Sequence, residues 1–368
     1  MSRPRVLHLG FEDPRKPGAG GGAVRTHEIN SRLADRYDIT VVSARFPGCT
    51  PYEAEGVRYT HAGAADTYLL AVPSYFLAQP WTVRKHRPDL VVEDFGAPIS
   101  TWGLPRATSR PVVGVVQWLF AEEKGRQYHL PLAGIERSGV RAHRRLVAVS
   151  DDLGDRLRTL SPGAQVDVVP NGLPPAAFTT PQTGARRHVK YLGRLEDAQK
   201  GLGLLLEAWA RATTSGAVPP GVELHLGGIG PDGRRLQDRA AALGVTGSVR
   251  FVGAIAHEER FAWLADAAFV AMPSRYETFG MVAAESLAVG TPVVAFDIDC
   301  LRTLVTDGTG RRVPAFDVPA FAAALGELAT DRPLRERLGA QGVRHVQHLT
   351  WDNAAAAQAA VYDEVLGR

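Results

Sequence analysis

The chain has 368 residues, which is too long for a typical single hydrophobic core and fits two domains of ordinary size. Hydrophobic residues make up 45% of the chain and charged residues 22%, as in ordinary globular proteins. The formal net charge of +3 is too small to indicate nucleic-acid binding.

Three further features of the sequence bear on the compartment. The two cysteines, Cys49 and Cys300, lack the spacing of a metal site, and nothing indicates a disulfide. The first residues lead directly into a strand without a signal peptide, and no apolar run approaches the roughly 18 residues of a membrane span. We therefore expect a cytoplasmic protein.

The first predicted element is a strand over residues 5–10, followed by a glycine-rich loop and a helix over residues 23–35. The loop contains Gly18, Gly20, Gly21 and Gly22. A strand, a glycine loop and a helix in this order bring backbone amides close to a phosphate or a sugar. The loop is longer than a dinucleotide fingerprint and lacks its glycine spacing, which argues against a dehydrogenase. A flexible surface loop is the alternative.

Further strands of the N-terminal half alternate with helical stretches. They cover residues 38–43, 57–61, 90–93, 111–116 and 146–149. This alternation predicts a parallel, doubly wound α/β sheet, in which ligands contact residues just past the carboxyl ends of the strands. Asp94, Gln117 and Trp118 occupy such positions. Trp118, together with Phe120 and Tyr128, forms either a wall for a substrate or ordinary core.

The boundary between the two domains lies near the middle of the chain. A strand over residues 166–169 runs into the turn Pro170-Asn171-Gly172, and residues 174–185, rich in Pro, Thr and Gly, predict a linker. We therefore place the domains at residues 1–172 and 186–349. A long helix over residues 351–366 follows the second domain.

Two basic residues stand near the start of the second domain. A strand over residues 188–192 ends before Arg194, and Lys200 precedes a helix whose apolar residues recur at a helical spacing. Both side chains point toward one crevice, where two cations and a helix N-terminus would favour a diphosphate. The alternative is a pair of solvated loop residues.

Two acidic residues bracket a strand–loop–helix–strand unit later in this domain. The strands cover residues 267–272 and 292–296, and the helix covers residues 280–289 and is capped by Gly290. Glu277 lies in the loop, whereas Glu285 lies within an apolar helix. A buried carboxylate needs hydrogen-bond donors, and the neighbouring sequence offers few, so we expect donors from a ligand such as a ribose. The alternative is a narrow solvent-facing stripe formed with Ser286.

The spacing of Glu277 and Glu285, after Pro273-Ser274 and with Phe279-Gly280 between them, resembles retaining glycosyltransferases of the GT-B architecture, and glycosyltransferase family 4 most closely. The resemblance covers nearly the whole chain. It implies two Rossmann-like doubly wound domains facing each other across a cleft. The N-terminal domain would bind the acceptor and be completed by the C-terminal helix, residues 350–368, and the C-terminal domain would bind a nucleotide sugar.

The resemblance also implies roles for individual residues. Arg194 and Lys200 would contact the donor diphosphate, Glu277 the transferred sugar, and Glu285 the ribose. Further donor contacts would come from backbone or small residues in the glycine loop, in the turn beside the base and at the helix start, namely Gly21, Gly22, Gly228, Gly230, Val252, Phe279, Gly280 and Met281. Asp94 and Trp118 would contact the acceptor.

The chain departs from the family pattern at several positions. Family members commonly carry a histidine where Gln117 falls, and glutamine can bond a sugar hydroxyl but cannot titrate. Asp297-Ile298-Asp299 mimics a metal-binding motif of a different glycosyltransferase fold, but we interpret it as a polar loop and expect no obligatory metal or other cofactor. Some members use a basic helix of the first domain on anionic membranes. The basic residues here are more typical of a solvated face, namely Arg137, Arg141, His143, Arg144 and Arg145.

The sequence thus predicts a retaining hexosyltransferase that uses a nucleoside diphosphate sugar, with a UDP-sugar favoured, and the catalytic residues Arg194, Lys200, Glu277 and Gln117. The acceptor would be a hydroxyl of a small molecule, as in natural product biosynthesis, or of a cell-envelope precursor. Two alternatives share the fold: an epimerase or phosphorylase, and a catalytically silent partner subunit.

Overall fold

A computed structural model describes residues 3–64, 68–95, 103–119 and 131–368, together with positions 121, 125 and 129. The chain divides into two compact units: one comprises the described residues up to Gly172 and Trp351–Arg368, and the other comprises Leu173–Thr350. Each unit contains one parallel-stranded sheet with helices between its strands. The α/β class predicted from the sequence is therefore confirmed.

An eight-stranded sheet forms the centre of the first unit. In chain order its strands are β1 (Arg5–Leu9), β2 (Asp38–Ala44), β3 (Tyr52–Ala54), β4 (Val57–Ala62), β5 (Leu90–Asp94), β6 (Val112–Val116), β7 (Arg145–Ala148) and β8 (Gln165–Val168). Their spatial order is β3-β4-β2-β1-β5-β6-β7-β8, and β3 pairs antiparallel with β4. The described helices between them are α1 (Gly21–Leu33), α2 (Tyr68–His86), α3 (Leu132–Ala142) and α4 (Asp151–Leu160).

The second unit has a six-stranded sheet in which the strand pairs are parallel. Its strands are β9 (Val189–Leu192), β10 (Leu224–Gly227), β11 (Val249–Gly253), β12 (Phe269–Met272), β13 (Val293–Phe296) and β14 (Gly310–Val313). Its helices are α5 (Pro175–Thr179), α6 (Asp197–Lys200), α7 (Leu202–Thr214), α8 (Gly233–Ala242), α9 (Arg260–Ala265), α10 (Met281–Ala288), α11 (Val318–Thr330) and α12 (Arg332–Val346). The last helix, α13 (Trp351–Leu366), belongs to the first unit.

Each sheet has one point at which the order of its strands reverses. In the first sheet β1 lies between β2 and β5, and in the second β9 lies between β10 and β12. Crossover connections leave β1 and its neighbour in opposite directions there, which opens a crevice at the carboxyl ends of the strands. The loops after β1 and β5, and those after β9 and β12, are therefore the places where the fold favours a ligand.

The first sheet buries both of its faces, because successive side chains of a strand point to opposite sides. Val6 of β1 packs in one apolar cluster with Ile29 and Leu33 of α1 and with residues of α13. Leu7, the next residue, packs in a second cluster with Phe76 of α2. Continuous apolar strands of this kind are typical of parallel sheets.

Helix α13 closes the first of these two clusters. Tyr362 packs edge-on against Tyr37 with ring centroids 5.7 Å apart, and Trp351 is buried in the same cluster. The Tyr37 hydroxyl donates to Asp363 over 2.6 Å. Arg25 of α1 is fully buried and donates to Gln358 of α13 over 3.3 Å. Both apolar and polar contacts thus join the two ends of the described chain.

Helix α7 carries a large part of the core of the second unit. Leu202, Leu205, Leu206 and Trp209 are all fully buried, as their spacing predicts. The Trp209 indole donates to the Ser248 hydroxyl over 3.0 Å, which satisfies its one polar group.

Some parts of the fold differ from the sequence-based expectation. The edge strands β3 and β14 were not predicted, since both are short and only partly buried. Residues 174–185, predicted as a linker, include helix α5 and are grouped with the second unit. In the described part of the chain, no helix combines the length and the apolar character needed to cross a membrane.

Candidate functional site

The turn between α6 and α7 brings Lys200 against the loop that follows β12. Gly201 has a left-handed conformation, with φ of 64°, and a side-chain carbon there would lie only 2.2 Å from the Pro273 carbonyl oxygen. Only glycine permits both the conformation and the approach. The Arg275 amide also donates to the Gln199 carbonyl over 2.9 Å. Two loops from either side of the strand reversal are therefore joined.

Lys200 and Glu277 form a close ion pair in this junction. Lys200 Nζ lies 2.5 Å from Glu277 Oε1, and both side chains are largely buried. The Ser274 hydroxyl donates to the same carboxylate oxygen over 2.8 Å. The structure thus brings together two residues that are 77 positions apart and that the sequence analysis placed at one site.

Arg194 lies just past the end of β9 and is the more exposed of the two predicted cations. Its guanidinium contacts Glu196 at 2.8 Å and donates to the Gln199 side chain over 2.7 Å, while 60% of the side chain stays exposed. The buried Tyr191 hydroxyl donates to the Arg194 carbonyl over 2.8 Å. Burial, followed by the charge of Glu277, raises the pKa of Tyr191, so this hydroxyl remains a donor and fixes the turn.

The turn after β10 lies directly against the turn after β9. A side-chain carbon on Gly228 would be 1.8 Å from the Gly193 carbonyl oxygen, and one on Gly230 would be 2.5 Å from the Leu195 carbonyl oxygen. The Gly228 amide donates to the Gly253 carbonyl over 2.6 Å, next to Val252. Val252 is 45% exposed, so this edge presents an apolar side chain to solvent.

Gly280 sets the start of α10. Its φ is 84°, and a side-chain carbon there would lie 2.4 Å from Leu301 Cδ2, so both conformation and space require glycine. Phe279 is buried and Met281 is half-buried. A ligand at this helix start would therefore meet backbone amides, which have no partner within the first turn of a helix. The contacts expected for Phe279 and Gly280 are backbone contacts of this kind.

Glu285 is buried within α10, and the partner of its carboxylate was not foreseen. Only 2% of the residue is exposed, and Ser286 is also buried, so the solvent-facing stripe considered as an alternative is wrong. Arg260, at the start of α9, donates to Glu285 Oε2 over 2.6 Å. Burial raises the pKa of Glu285 to about 7, although Arg260 acts to lower it. The expectation that only a ligand supplies donors is thus corrected: a distant arginine supplies one.

In the first unit, the predicted residues Gly22, at the start of α1, and Gln117, just past β6, come together. A side-chain carbon on Gly22 would lie 3.4 Å from Gln117 Nε2, whereas Gly21 faces open space. Trp118 is half-buried beside Gln117. Its proposed aromatic companions, Phe120 and Tyr128, lie outside the described residues.

Asp94 is at the end of β5 as predicted, but its carboxylate points into the unit. Only 8% of the residue is exposed. The Thr26 hydroxyl donates to Asp94 Oδ2 over 2.8 Å, and His8 Nε2 lies 3.0 Å from Oδ1. His8 is held in turn by Asn30 through its other ring nitrogen, at 2.8 Å. The carboxylate that was expected to face an acceptor thus lies against helix α1 and strand β1, and the Thr26 hydroxyl satisfies one of its two oxygens.

The basic residues at the end of α3 do not form one exposed patch. His143 is buried and lies 3.1 Å from the Glu93 carboxylate. Arg145 is also buried, with contacts of 2.5 Å to Asp167 and 2.7 Å to Glu364. Arg137, Arg141 and Arg144 remain exposed. The five residues therefore divide between two buried side chains that contact carboxylates and three exposed arginines.

Two groups of residues could be mistaken for metal sites. Asp297 and Asp299 each pair with Arg302, at 2.8 and 2.6 Å, and Arg302 lowers the pKa of Asp297. In the described residues, His188, Glu223 and His225 also lie within metal-ligand reach of one another. His188 Nδ1, however, accepts the Glu223 amide, which places the ring proton on Nε2, and Arg250 bonds the Glu223 carboxylate. Neither group offers a free set of ligands.

Comparison with known families and relatives places this geometry in context. The family model described as Glycosyltransferase Family 4 matches residues 19–177, and the one described as Glycosyl transferases group 1 matches residues 186–331. A glycogen synthase of Mycobacterium tuberculosis is 30% identical over 97% of this chain and 94% of its own length. A D-inositol 3-phosphate glycosyltransferase of Jonesia denitrificans is 35% identical over 59% of this chain. That match spans only about half of the relative, 56% of its length.

Solved structures share the fold along the whole chain. Sucrose-phosphate synthase from Thermosynechococcus elongatus superposes with a TM-score of 0.80, at 22% identity and with 100% of both chains covered. Anabaena HepE in complex with UDP and glucose superposes with a TM-score of 0.72, at 18% identity, over 98% of this chain and 100% of that one. At these identities the likeness concerns the fold.

Proposed function

Since the chain belongs to glycosyltransferase family 4, we propose that it is a retaining glycosyltransferase that moves a sugar from a nucleoside diphosphate sugar to a hydroxyl group. One observation carries this proposal: the Lys200–Glu277 pair lies at the strand reversal of the second sheet, where a doubly wound fold receives its ligand. The Lys200 ammonium can bind the phosphate of a sugar phosphate, and the Glu277 carboxylate can accept hydrogen bonds from the sugar hydroxyls.

The diphosphate of the donor is proposed to lie beside Lys200 and Arg194. Lys200 has its ammonium within this junction, and the 60% exposed Arg194 guanidinium is free to turn from Glu196 to an entering phosphate. Two cations balance most of the charge of a diphosphate, and arginine can bond two phosphate oxygens at once. We therefore propose that donor binding needs no divalent metal.

The chemical step requires the bond between the anomeric carbon and the phosphate oxygen to break while a bond to the acceptor oxygen forms on the same face. The departing phosphate oxygen accepts the acceptor proton, so no side chain has to act as a general base. Lys200 and Arg194 stabilise the charge that develops on the leaving diphosphate. Glu277, held by Ser274, positions the sugar hydroxyls.

The remaining contacts follow from the same placement. The buried Glu285 carboxylate is proposed to accept the ribose hydroxyls, and the turns at Gly228 and Val252 to border the base. A UDP-sugar is favoured, and HepE, which shares the fold, was solved with UDP. The acceptor, a small molecule or a cell-envelope precursor, is proposed to meet the first unit at Gln117 and Trp118.

Thermal unfolding with nucleotides tests this proposal directly. UDP, GDP and ADP are each added in the presence of a chelator, and the melting temperature is followed. We expect at least one of them to raise it without metal, because a ligand that binds only the folded state stabilises that state. If none does so, or if every shift disappears on chelation, the donor site is wrongly assigned. Transfer from the matching sugar nucleotide to a hydroxyl acceptor then separates a transferase from a silent homologue.

A further inference from the structure

The contact between Arg260 and Glu285 joins helices α9 and α10. It involves a buried carboxylate, whose charge is unfavourable in the protein interior. Glu285 lies in the middle of α10, with 2% of its surface exposed, and Arg260 begins α9, 25 positions earlier. The guanidinium reaches Oε2 at 2.6 Å and keeps about a quarter of its own side chain in solvent. Arg260 thus links the buried carboxylate to the surface of the second unit.

Arg260 is the one hydrogen-bond or ion-pair partner of this carboxylate in the described part of the chain, so Oε1 remains for a further donor. Helix α12 also packs against α10; of its titratable residues, Arg337 and Arg344 are exposed and His345 contacts the Thr303 carbonyl. Arg332 pairs with Glu336, and Arg335 donates to the Leu328 carbonyl. Asp266, after α9, pairs with Lys190. Strands β12 and β13 and helix α5, the other neighbours, contain no ionisable residue.

The protonation state of the Glu285 carboxyl group is set by two opposing effects, its burial and its hydrogen bond with Arg260. Burial disfavours the ionised form, while a charge-assisted hydrogen bond at 2.6 Å favours it. These opposing effects leave the pKa of Glu285 at about 7, with burial the larger of the two. Removing Arg260 would leave only the effect of burial, and the carboxyl group would then be protonated at neutral pH.

We propose that Arg260 is a positioning residue for the nucleotide: it holds the Glu285 carboxylate ionised and oriented, with Oε1 free to accept the ribose hydroxyls. This inference rests on the proposed function, because it assigns a nucleoside diphosphate to the same site. A carboxylate can accept hydrogen bonds from both hydroxyls of a ribose, whereas a carboxylic acid has given up part of its acceptor capacity to its own proton. Arg260 therefore acts through Glu285 and need not touch the ligand.

Calorimetric titration of the nucleoside diphosphate that stabilises the wild-type protein, from pH 6 to pH 9, tests this role. The variants are Arg260→Met, which keeps the length of the stem without the charge, and Arg260→Lys, which keeps the charge. The control is Arg239→Met, in the same unit, because Arg239 forms an equally short but exposed pair with Glu207, at 2.6 Å.

In the wild type, Kd should rise about tenfold for each pH unit below about pH 7, since each unit reduces the ionised fraction of a group below its pKa tenfold. In Arg260→Met this rise should begin at higher pH, so that binding at pH 7 is at least about tenfold weaker and approaches the wild-type value at pH 9. Arg260→Lys and Arg239→Met should follow the wild type.

Two results would overturn the inference. An Arg260→Met profile that coincides with the wild type means that Arg260 does not govern the carboxylate. A profile weakened by one factor at every pH means that Arg260 contacts the ligand or supports the fold without tuning Glu285. Should Arg260→Met fail to fold, Arg260→Gln, which retains a neutral donor, is titrated with the same two readings. If the wild type binds none of UDP, GDP and ADP, the proposed function itself fails, independently of Arg260.

Discussion

The two units contain the same kind of sheet but differ in the partners of the polar side chains at their strand ends. In the second unit, charged side chains from separate loops meet at the carboxyl ends of the strands, where Lys200 contacts Glu277 at 2.5 Å. In the first unit, Asp94 occupies the corresponding position at the end of β5 but turns inward to Thr26. Polar side chains therefore occur at the strand ends of both sheets. Such a side chain can either face a ligand site or form hydrogen bonds within its own unit.

The difference lies in which element passes behind each strand end. Helix α1 presents Thr26 to Asp94, so the interior satisfies one of its carboxylate oxygens. Behind β12 the loop presents Ser274 to Glu277, and Glu277 also pairs with Lys200, a cation that a phosphate can bind as well. The second unit thus keeps exchangeable partners at its strand ends, whereas the first unit uses permanent ones.

The largest effect is expected from Lys200→Ala, which removes the cation of the exchangeable pair. Loss of one preorganised electrostatic group typically lowers turnover by roughly 10²–10³-fold, and we expect that range for release of the nucleotide from the donor. The control is Arg239→Ala, which breaks an exposed pair between Arg239 of α8 and Glu207 of α7. Turnover within about threefold of wild type in a folded Lys200→Ala variant would mean that Lys200 does not bind the donor. The proposed difference between the strand ends of the two units would then be wrong.

A smaller effect, on stability, is expected from Glu285→Gln. The pKa of Glu285 is about 7 in the folded protein against an ordinary value of 4.5, so its contribution to stability is complete below about pH 4.5 and is lost as the pH rises through 7. The loss amounts to roughly 3 kcal/mol at 1.36 kcal/mol per pKa unit. Urea unfolding at pH 5 and pH 8 should show this decline in the wild type and a flatter dependence in the variant. Equal declines would mean that Glu285 titrates normally.

Asp94→Asn should affect stability and leave donor binding unchanged, because Asp94 has permanent interior partners. A weakened hydrogen bond to a charged, buried group corresponds to about 1–3 kcal/mol of unfolding free energy. Asp155→Asn serves as the control, since Asp155 is 78% exposed and pairs with Arg158 on its own helix. An Asp94→Asn protein of unchanged stability with a raised KM for the acceptor would place this residue at the acceptor after all.

The smallest effect is expected from Gln117→Ala, which removes a first-unit side chain that lies beside Gly22 of the glycine loop. We expect turnover to fall about tenfold, the lower end for one lost hydrogen bond to a charged or reacting group, with nucleotide binding unchanged. The shape of the pH profile should not change, because glutamine has no ionisation to lose.

Gln165 offers a matched glutamine because its exposed side chain bonds Glu364 at the surface, so Gln165→Ala should keep full turnover. Gln117→His restores the residue common in the family and should retain activity. If Gln117→Ala keeps full transfer activity, no residue of the first unit would remain assigned to the acceptor except Trp118.

The sequence could predict those parts of the molecule that depend on neighbours along the chain. The strand over residues 90–93 and the helix over residues 351–366 are found within one residue of their predicted ends, because apolar patterns and helix stops are local signals. The left-handed conformation at Gly290 follows from the same kind of signal. The spacing of Glu277 and Glu285 identified the family for a similar reason.

What the sequence could not predict are partners brought together from distant positions. Arg260 is 25 residues from Glu285, and Thr26 is 68 residues from Asp94, so no local pattern connects them. The only sequence signal for Arg260 is a charged residue at the beginning of a helix that is otherwise apolar, which is common on surfaces. Whether a polar side chain at a strand end faces a ligand or bonds within the protein thus depends on tertiary packing. The local motif does not encode that packing.

The placement of α13 has a consequence for biosynthesis. Its residues Trp351 and Tyr362 complete a cluster that begins with Val6, so the first unit cannot close that face until the ribosome has translated the second unit and residue 362. Residues 173–350 hold all six strands of the second sheet and can mature while the first unit still exposes Ile29 and Leu33 of α1. Apolar surface that stays exposed to solvent while the second unit is translated binds chaperones and promotes aggregation. The yield of native protein should therefore depend on the speed of elongation through the second unit.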